Sequence, residues 1–205
     1  MLRLFRANFS TNAERVALAL AHKGIEVESR YIDYADRSEV EAISGQGLVP
    51  VLVDGSKVIV DSMRIIAYLD EHVPDPPLFP ADDARYAEMM FFIDWFNRVW
   101  KLLPNRIEAE LAQEHPDHML TVALGREMAL ALDGFESLLS GRQFLMGSEL
   151  SAADLAVFPF VKYAAKRAPA DVEPFHMVLD EYQQLGDEHF KLRQWIKRID
   201  ALPRA

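Results

Sequence analysis

The sequence predicts a chain of two parts, in which a small mixed α/β domain precedes an all-helical domain. Short β-prone runs and short helical patterns alternate over residues 1–76. From Ala81 onward the apolar residues recur at helical spacing, and no convincing strand pattern remains. A cluster of prolines at positions 74–77 separates the two patterns, so we predict domains over 1–76 and 83–205, joined by a linker at 77–82.

The first part has the element order β-α-β-(α)-β-β-α. Its strands are predicted where apolar residues alternate or form short runs, and its helices where they recur three or four apart behind a polar cap residue. Asp54-Gly55-Ser56 predicts a tight hairpin turn, because glycine tolerates the positive φ that such turns need. Strands are therefore expected at 2–5, 27–32, 51–53 and 57–60, and helices at Thr11–His22, within 38–45 and at Ser62–His72.

The second part is predicted to begin with one long helix over Asp82–Leu103. Pro104 is expected to kink or break this helix, because proline lacks a backbone donor and clashes with the preceding turn. Ser151 and Asp154 have the spacing of a capping box, which we interpret as a purely structural helix start. Further helices are expected near 117–139, 152–166, 174–185 and 189–200.

The composition excludes several classes of function. Its 22 basic and 32 acidic residues give a net charge of −10, which is expected to repel nucleic-acid backbones and anionic membranes. The chain has no cysteine, so disulfides, thiolate metal sites and cysteine nucleophiles are excluded. The segment His115-Pro116-Asp117-His118 is interpreted as a solvated loop, and no metal site is predicted. No secretory signal or membrane-spanning run is visible, and the cytoplasm is the predicted location.

The segment Gly47-Leu48-Val49-Pro50 enters a predicted hairpin strand through a proline. An X–Pro bond adopts the cis form at a cost of only about 0.5–1 kcal/mol. A cis Val49–Pro50 bond would turn the backbone of Val49 outward, where its N–H and C=O can pair with an extended peptide, as an added strand does. The alternative interpretation is an ordinary edge-strand proline.

Two further segments combine polar residues with the start of a predicted helix. Ser62 is a candidate N-cap beside Asp61, and the pair suits an amino-acid head group, with its carboxylate at Ser62 and its ammonium at Asp61. Ser10 lies where the first strand meets the first helix, so its hydroxyl is suited to donate to an anion such as a bound thiolate. The alternative interpretation of each segment is plain helix capping, which Asp61-Ser62 taken alone favours and which Ser10 can combine with binding an anion.

The order and spacing of these segments resemble the cytosolic glutathione transferase superfamily. SGQGLVPVL is similar to the family's NPxGxVPxL segment, and VDSMRIIAYLDEHVPDPPLFP is similar to the segment in which an acidic residue precedes a serine. SAADLAVFPF is similar to the family's helix-capping segment. The resemblance covers nearly the whole chain and implies a thioredoxin-like domain followed by an all-helical domain, in agreement with the element order above.

The resemblance implies that glutathione binds the first domain as a co-substrate. Backbone contacts of Val49 with Pro50 would hold the cysteinyl part of glutathione, as they do in the family. Asp61 and Ser62 would hold the γ-glutamyl end. No metal is implied.

The thiol-activating residue that the resemblance implies is Ser10. It lies five residues before Arg15, as does the corresponding serine of the tau, phi and zeta classes. The chain lacks cysteine and has no tyrosine near the first strand, so the cysteine- and tyrosine-dependent classes fit poorly. Thr11 and Asn12 are neighbours that could replace Ser10 as the thiol donor.

The sequence departs from the family at the expected glycyl end of the site. Gly47 and Leu48 stand before the Val-Pro pair, where many serine-type relatives carry a lysine or glutamine. Ser44-Gly45 replaces the family's Asn-Pro, and Gln46 is the residue that could substitute for the missing side chain. These departures bear on the affinity for glutathione and on the identity of the thiol.

The activity that the resemblance implies is that of an enzyme, in which the glutathione thiolate attacks a small hydrophobic electrophile or reduces a peroxide. Zeta-like isomerisation and bacterial ether cleavage remain open as further reactions. The alternative is a non-enzymatic interaction protein of the same fold, similar to the stringent starvation proteins that bind RNA polymerase.

The acceptor substrate is expected against the long helix, in a cleft between the domains. Aromatic residues at helical spacing, such as Trp95 and Phe96, are more often core residues than ligand contacts. A homodimer is also implied, with Phe91 and Phe92 as candidate interface residues. The candidate cleft residues are Asn97, Arg98, Trp100 and Lys101.

Overall fold

The computed structural model describes residues 1–165 and 167–205 of the chain. These residues form two compact units, one of Met1–Phe79 with Leu202–Ala205 and one of Pro80–Ala201. The first unit is mixed α/β and the second is helical, which confirms the predicted fold class. Among the described residues, each helix is either too short or too polar to span a lipid bilayer.

The first unit contains four strands, β1 (Leu2–Arg6), β2 (Val27–Tyr31), β3 (Val51–Asp54) and β4 (Lys57–Val60), and the helices α1 (Thr11–His22), α2 (Ser38–Ser44) and α3 (Ser62–His72). The sheet has the order β2-β1-β3-β4. Strand β1 is parallel to β2 and antiparallel to β3, and β3 forms a hairpin with β4. The bounds of α1, β4 and α3 are those predicted from the sequence.

The centre of the sheet is buried on both faces. Leu4 and Phe5 are neighbours in β1, so their side chains point to opposite faces, and both are fully buried. Phe5 packs in a cluster with Val51 and Val53 of β3 and with Val40 of α2. Helices α1 and α3 pack against each other. The loops at the ends of these strands therefore extend from a densely packed scaffold.

The last four residues belong to the first unit, a feature that no local sequence pattern predicted. The N–H of Ala205 donates to the carbonyl of Ala17 in α1 at 3.1 Å. Arg6, at the end of β1, donates to the carbonyl of Ala205 at 2.6 Å. Arg204 donates to the Glu14 carboxylate from Nε at 3.3 Å and from Nη2 at 3.0 Å. These contacts bridge strand β1 and helix α1.

The second unit is helical, as predicted. The helix expected over 152–166 is α-helical to Val161 and continues as a 3₁₀ turn to Ala164, while its predicted last residue, Lys166, lies outside the described residues. The helices are α4 (Asp83–Trp95), α5 (Leu102–Leu111), α6 (His118–Leu138), α7 (Ala152–Val161), α8 (Pro174–Tyr182) and α9 (Phe190–Asp200).

The long helix that was predicted over Asp82–Leu103 is interrupted earlier than expected. A π-helical turn over Phe96–Trp100 separates α4 from α5, with the Lys101 N–H bonded to the Phe96 carbonyl at 3.0 Å. Pro104 is the third residue of α5, so the prediction of a break at Pro104 itself was wrong. Because the proline ring clashes with the carbonyl four residues earlier, the distortion appears in the preceding turn.

The capping box at the start of α7 is formed as predicted. The Asp154 carboxylate accepts hydrogen bonds from the Ser151 N–H at 3.0 Å and the Ser151 hydroxyl at 2.7 Å. It also accepts from the Leu145 N–H and from Trp195 Nε1, each at 2.8 Å. Asp154 is fully buried, and burial raises the pKa of its carboxyl. This side chain therefore joins α7, α9 and the loop before α7.

Candidate functional site

Strand register brings three of the predicted segments to one end of the sheet. Val51 at the start of β3 is paired with Phe5 of β1 and with Val60 of β4. The residues after β1, before β3 and after β4 consequently lie at the same sheet end. These residues are the turn that contains Ser10, the pair Val49-Pro50 and the pair Asp61-Ser62.

The Val49–Pro50 peptide bond is cis, as the sequence suggested. Pro50 is buried and Val49 is half-buried, with Val49 packed against the cluster around Phe5. The cis pair directly precedes β3. The hairpin partner of β3 is β4, which ends at Val60, directly before Asp61. The backbone of Val49 is therefore next to the start of α3 in the sheet register.

Asp61, and not Ser62, is the N-cap of α3, so the predicted cap residue was wrong. Asp61 Oδ1 accepts from the backbone N–H groups of Met63 at 2.9 Å and Arg64 at 3.1 Å. The backbone of Asp61 has φ of +75°, a left-handed conformation that is uncommon outside glycine and costs free energy. The N–H of Ser62, the first helical residue, is not among those that Asp61 caps.

Arg15 links helix α1 to the start of α3. Its side chain is 2% exposed, and Nη1 donates to Ser62 Oγ at 3.2 Å. Burial lowers the pKa of Arg15 to about 9, and attraction to Asp61 opposes this shift, so the guanidinium is charged at neutral pH. The sequence analysis named Arg15 only for its spacing from Ser10 and predicted no contact for its side chain. A usable sequence indication was its position on the buried face of α1, next to Val16.

Ser10 is the N-cap of α1. Its Oγ accepts from the Ala13 N–H at 3.3 Å, which leaves the hydroxyl proton available to a ligand. Ser10 is half-buried, and the preceding Phe9 is 48% exposed with φ of +60°. Of the two alternative thiol donors, Thr11 is buried and Asn12 is half-buried. Thr11 is thus the less suitable replacement for Ser10.

Gln46 stabilises its own loop through hydrogen bonds to Leu48, and its predicted contact with the glycyl end of glutathione stays a prediction. Its Oε1 accepts from the Leu48 N–H at 2.6 Å, and its Nε2 donates to the Leu48 carbonyl at 2.9 Å. The basic side chain beside this loop is Arg37, whose Nη1 donates to the Gly47 carbonyl at 3.0 Å. The amide of Gln46 is therefore committed to holding the loop that leads to the cis proline.

The predicted cleft residues differ in their surroundings. Trp100 is 1% exposed, stacks on Phe96 with ring centroids 4.7 Å apart, and belongs to the core, so its assignment to the cleft was wrong. Lys101 is half-buried, and its Nζ lies 4.7 Å from the centroid of the Phe160 ring. Asn97 is half-buried, whereas Arg98 is exposed.

A group of possible metal ligands lies elsewhere, in the helical unit. Among the described residues, Asp133, Glu188 and His189 bring their ligand atoms within 4.8 Å of one another. Both ring nitrogens of His189 already have partners, because Nδ1 accepts from the Gly186 N–H at 3.0 Å and Nε2 lies 3.1 Å from Asp133 Oδ1. This arrangement suits a hydrogen-bonded histidine, and it leaves no ring lone pair for a metal ion.

Comparison with known proteins gives the same assignment for both units. The glutathione S-transferase N-terminal domain family matches residues 4–77, and the C-terminal domain family matches residues 123–198. Glutathione S-transferase Z1 of Arabidopsis thaliana is 32% identical over 198 residues, covering 91% of this chain and 87% of that protein. The chain belongs to the glutathione S-transferase family.

Other proteins to which this chain is similar differ in what their names describe. A probable maleylacetoacetate isomerase of Caenorhabditis elegans is 28% identical, covering 84% of this chain and 83% of its own. The FtsZ-localized protein A of Caulobacter vibrioides is 30% identical, covering 70% of this chain and 68% of its own. A rice glutathione S-transferase solved in complex with glutathione has a TM-score of 0.77 and 25% identity, covering 98% of this transferase and 86% of that chain. The transferase is accordingly a glutathione-dependent enzyme.

Proposed function

We propose that this transferase binds glutathione at the sheet end formed by the Ser10 turn, Val49-Pro50 and Asp61-Ser62. The observation that carries the proposal is the register of β1, β3 and β4, which brings three segments distant in sequence to one place. In this proposal the Val49 backbone pairs with the cysteinyl residue of glutathione. Ser10 donates its hydroxyl proton to the sulfur, which keeps the thiol ionised.

A thermal-shift titration with glutathione tests the proposal. A ligand that binds only the folded state raises the melting temperature by mass action. We expect the melting temperature to rise with glutathione concentration and to rise less with the dipeptide cysteinylglycine, which lacks the γ-glutamyl group. An unchanged melting temperature at millimolar glutathione would reject the site.

The reaction that the relatives favour is thiolate addition to a small electrophilic, unsaturated substrate. In an isomerisation, the glutathione sulfur bonds to one carbon of a conjugated double bond, and the electron pair moves onto the carbonyl oxygen. Rotation follows, the pair returns, and the thiolate leaves, so no oxidant or reductant is consumed. The similarity to zeta-class proteins and to a probable maleylacetoacetate isomerase supports this chemistry. An assay with maleylacetoacetate separates isomerisation from net transfer, since only transfer consumes glutathione.

A second candidate function is that of an interaction protein, which the similarity to FtsZ-localized protein A supports. This function does not require thiol activation. Glutathione-dependent stabilisation combined with turnover of an electrophile favours the enzyme. Absence of both, with the protein folded, favours the interaction protein.

Asp61→Asn is expected to weaken glutathione binding, with little effect on the rate at which the bound complex reacts. Asparagine retains an oxygen that caps α3, but it removes the negative charge that would face the ammonium of the γ-glutamyl group. Loss of one charge-assisted hydrogen bond raises the half-saturating glutathione concentration by roughly 10- to 100-fold, with little change in the maximal rate. Saturation kinetics in glutathione measure both quantities.

Asp82→Asn is the matched control for this variant, because Asp82 caps α4 through the Arg85 N–H at 2.9 Å. It should leave the kinetics unchanged. A loss confined to the maximal rate of Asp61→Asn would contradict the assignment of Asp61.

We further propose that the transferase is a homodimer that buries the outer face of α4 and α6. Phe91 of α4 is 77% exposed and Leu130 of α6 is 69% exposed. Between the two helices lies an apolar groove of about 540 Å³, which contains Phe92, Trp95 and Leu138 in its lining. Exposed apolar area of this kind is typical of an interface.

Light scattering should give twice the 23.3 kDa chain mass at micromolar concentration. Phe91→Ser should shift the mass toward that of one chain. A single-chain mass for the unmodified protein would exclude the dimer.

A further inference from the structure

Residues 202–205 form a tail that contacts the chain on both sides of Ser10. Arg6, four residues before Ser10 at the end of β1, donates to the carbonyl of Ala205 at 2.6 Å. Glu14, four residues after Ser10 in the first turn of α1, accepts hydrogen bonds from Arg204. The tail therefore packs against the strand end and the helix start that the Ser10 turn connects.

Glu14 and Arg204 form an ion pair that is largely shielded from water. Nε and Nη2 of Arg204 lie 3.3 and 3.0 Å from Glu14 Oε1. The side chain of Glu14 is 15% exposed and that of Arg204 is 24% exposed. Nη1 of the same guanidinium donates to the Leu202 carbonyl at 2.6 Å, so the backbone of the tail orients the arginine. Charges that are this little exposed are screened less by water and salt than surface charges are.

The position of Glu14 opposes ionisation of a thiol held at Ser10. The Glu14 N–H donates to the Ser10 carbonyl at 2.9 Å, within the first turn of α1. A helix rises about 1.5 Å per residue, so the two α-carbons are about 6 Å apart along the helix axis. Helical side chains also lean toward the N-terminus, which is the end that Ser10 caps. A carboxylate near a thiol raises the pKa of that thiol, because the carboxylate and the thiolate repel each other.

The charged side chains around this sheet end include two carboxylates, Glu14 and Asp61. Asp61 and the buried guanidinium of Arg15 attract each other. Arg204 is in the corresponding position for Glu14, so an arginine opposes each carboxylate. The other charged residues on the segments that meet here, or in contact with them, are Arg6, Arg37 and Arg64.

We infer that Arg204 is a positioning residue that stabilises the thiolate of bound glutathione by neutralising Glu14. Arg204 acts through Glu14 and does not touch the sulfur. With the guanidinium in place, the thiolate lies near an ion pair of zero net charge. Without it, the thiolate lies near a full negative charge in the first turn of α1. The inference rests on the proposed glutathione site and adds that ionisation of the bound thiol depends on the tail.

The test follows the ionisation of bound glutathione through the ultraviolet absorbance of its thiolate as a function of pH. Arg204→Gln is expected to move the midpoint of this titration to higher pH by roughly 0.5–1, the effect of one unpaired charge at about 8 Å in partly exposed surroundings. Glu14→Gln should move the midpoint to lower pH by a similar amount, because Arg204 then remains as an unpaired positive charge. The double variant should restore the midpoint of the unmodified protein.

Arg198→Gln is the matched control, because it removes an arginine that donates to the Gln143 carbonyl at 2.6 Å in the helical unit. It changes the net charge of the protein as Arg204→Gln does, and it should leave the midpoint unchanged. The pH profile of kcat/KM should shift in the same order across the variants.

The double variant separates an electrostatic role from a structural one. If the tail only held the fold of the Ser10 turn, Arg204→Gln and Glu14→Gln would shift the midpoint in the same direction and the double variant would not recover it. That result would overturn the inference, as would an unchanged midpoint in Arg204→Gln with glutathione still bound. Failure of the unmodified protein to bind glutathione would instead overturn the proposed function and the inference with it.

Discussion

Ser10→Ala is expected to lower the turnover of a chloronitrobenzene-type substrate with glutathione by one to two orders of magnitude. The substitution removes one hydrogen bond to the developing thiolate, which corresponds to about 1.5–3 kcal/mol. The apparent pKa of the bound thiol should rise, so that the pH profile of kcat/KM moves to higher pH. The accompanying loss of the α1 cap costs only about 1 kcal/mol of stability.

Ser10→Thr is the matched variant, because threonine both caps a helix and donates a hydroxyl proton. It should retain most of the activity. An unaltered rate and pH profile in Ser10→Ala would transfer the role to Asn12, which Asn12→Ala then tests.

Asp154→Ala is expected to lower the free energy of unfolding by at least about 3 kcal/mol, because each buried donor left without a partner costs about 1–3 kcal/mol. The substitution removes the acceptor of the Leu145 and Ser151 N–H groups, the Ser151 hydroxyl and Trp195 Nε1. Urea unfolding, with the midpoint and slope fitted together, measures the change.

Asp82→Ala provides the comparison for Asp154→Ala, since Asp82 is an exposed N-cap in the same unit. Its loss should cost about 1 kcal/mol. A destabilisation by Asp154→Ala that does not exceed this value would show that the four hydrogen bonds add nothing beyond ordinary capping.

The local sequence pattern was sufficient to predict the bounds of elements that begin at a clear capping residue and keep a regular apolar spacing. Helix α1 begins at Thr11 because Ser10 caps it, and its apolar residues continue at helical spacing to His22. The fold class followed from such elements together with the change of periodicity after the prolines. The cap of α3 was misassigned because Asp61 and Ser62 are both good cap residues. The left-handed backbone of Asp61 follows from how β4 enters the helix, which the sequence pattern does not contain.

The features that sequence reasoning missed depend on contacts between distant parts of the chain. The bond from Arg15 to Ser62 and the packing of Arg204 on Glu14 join residues that no periodicity relates. The hydrogen bonds of Gln46 were missed for a different reason. Its amide is satisfied by Leu48, two residues away, in a loop whose conformation has no regular period.

The distribution of tryptophan gives the protein an internal reporter. Trp95, Trp100 and Trp195 all lie in the helical unit, and the last two are almost fully buried. Indole emission during denaturation therefore follows that unit alone, whereas far-ultraviolet circular dichroism follows both. Coincident midpoints would mean that the two units unfold as one cooperative block. Separate midpoints would show that the α/β unit, which carries the proposed thiol site, opens and closes independently of the helices.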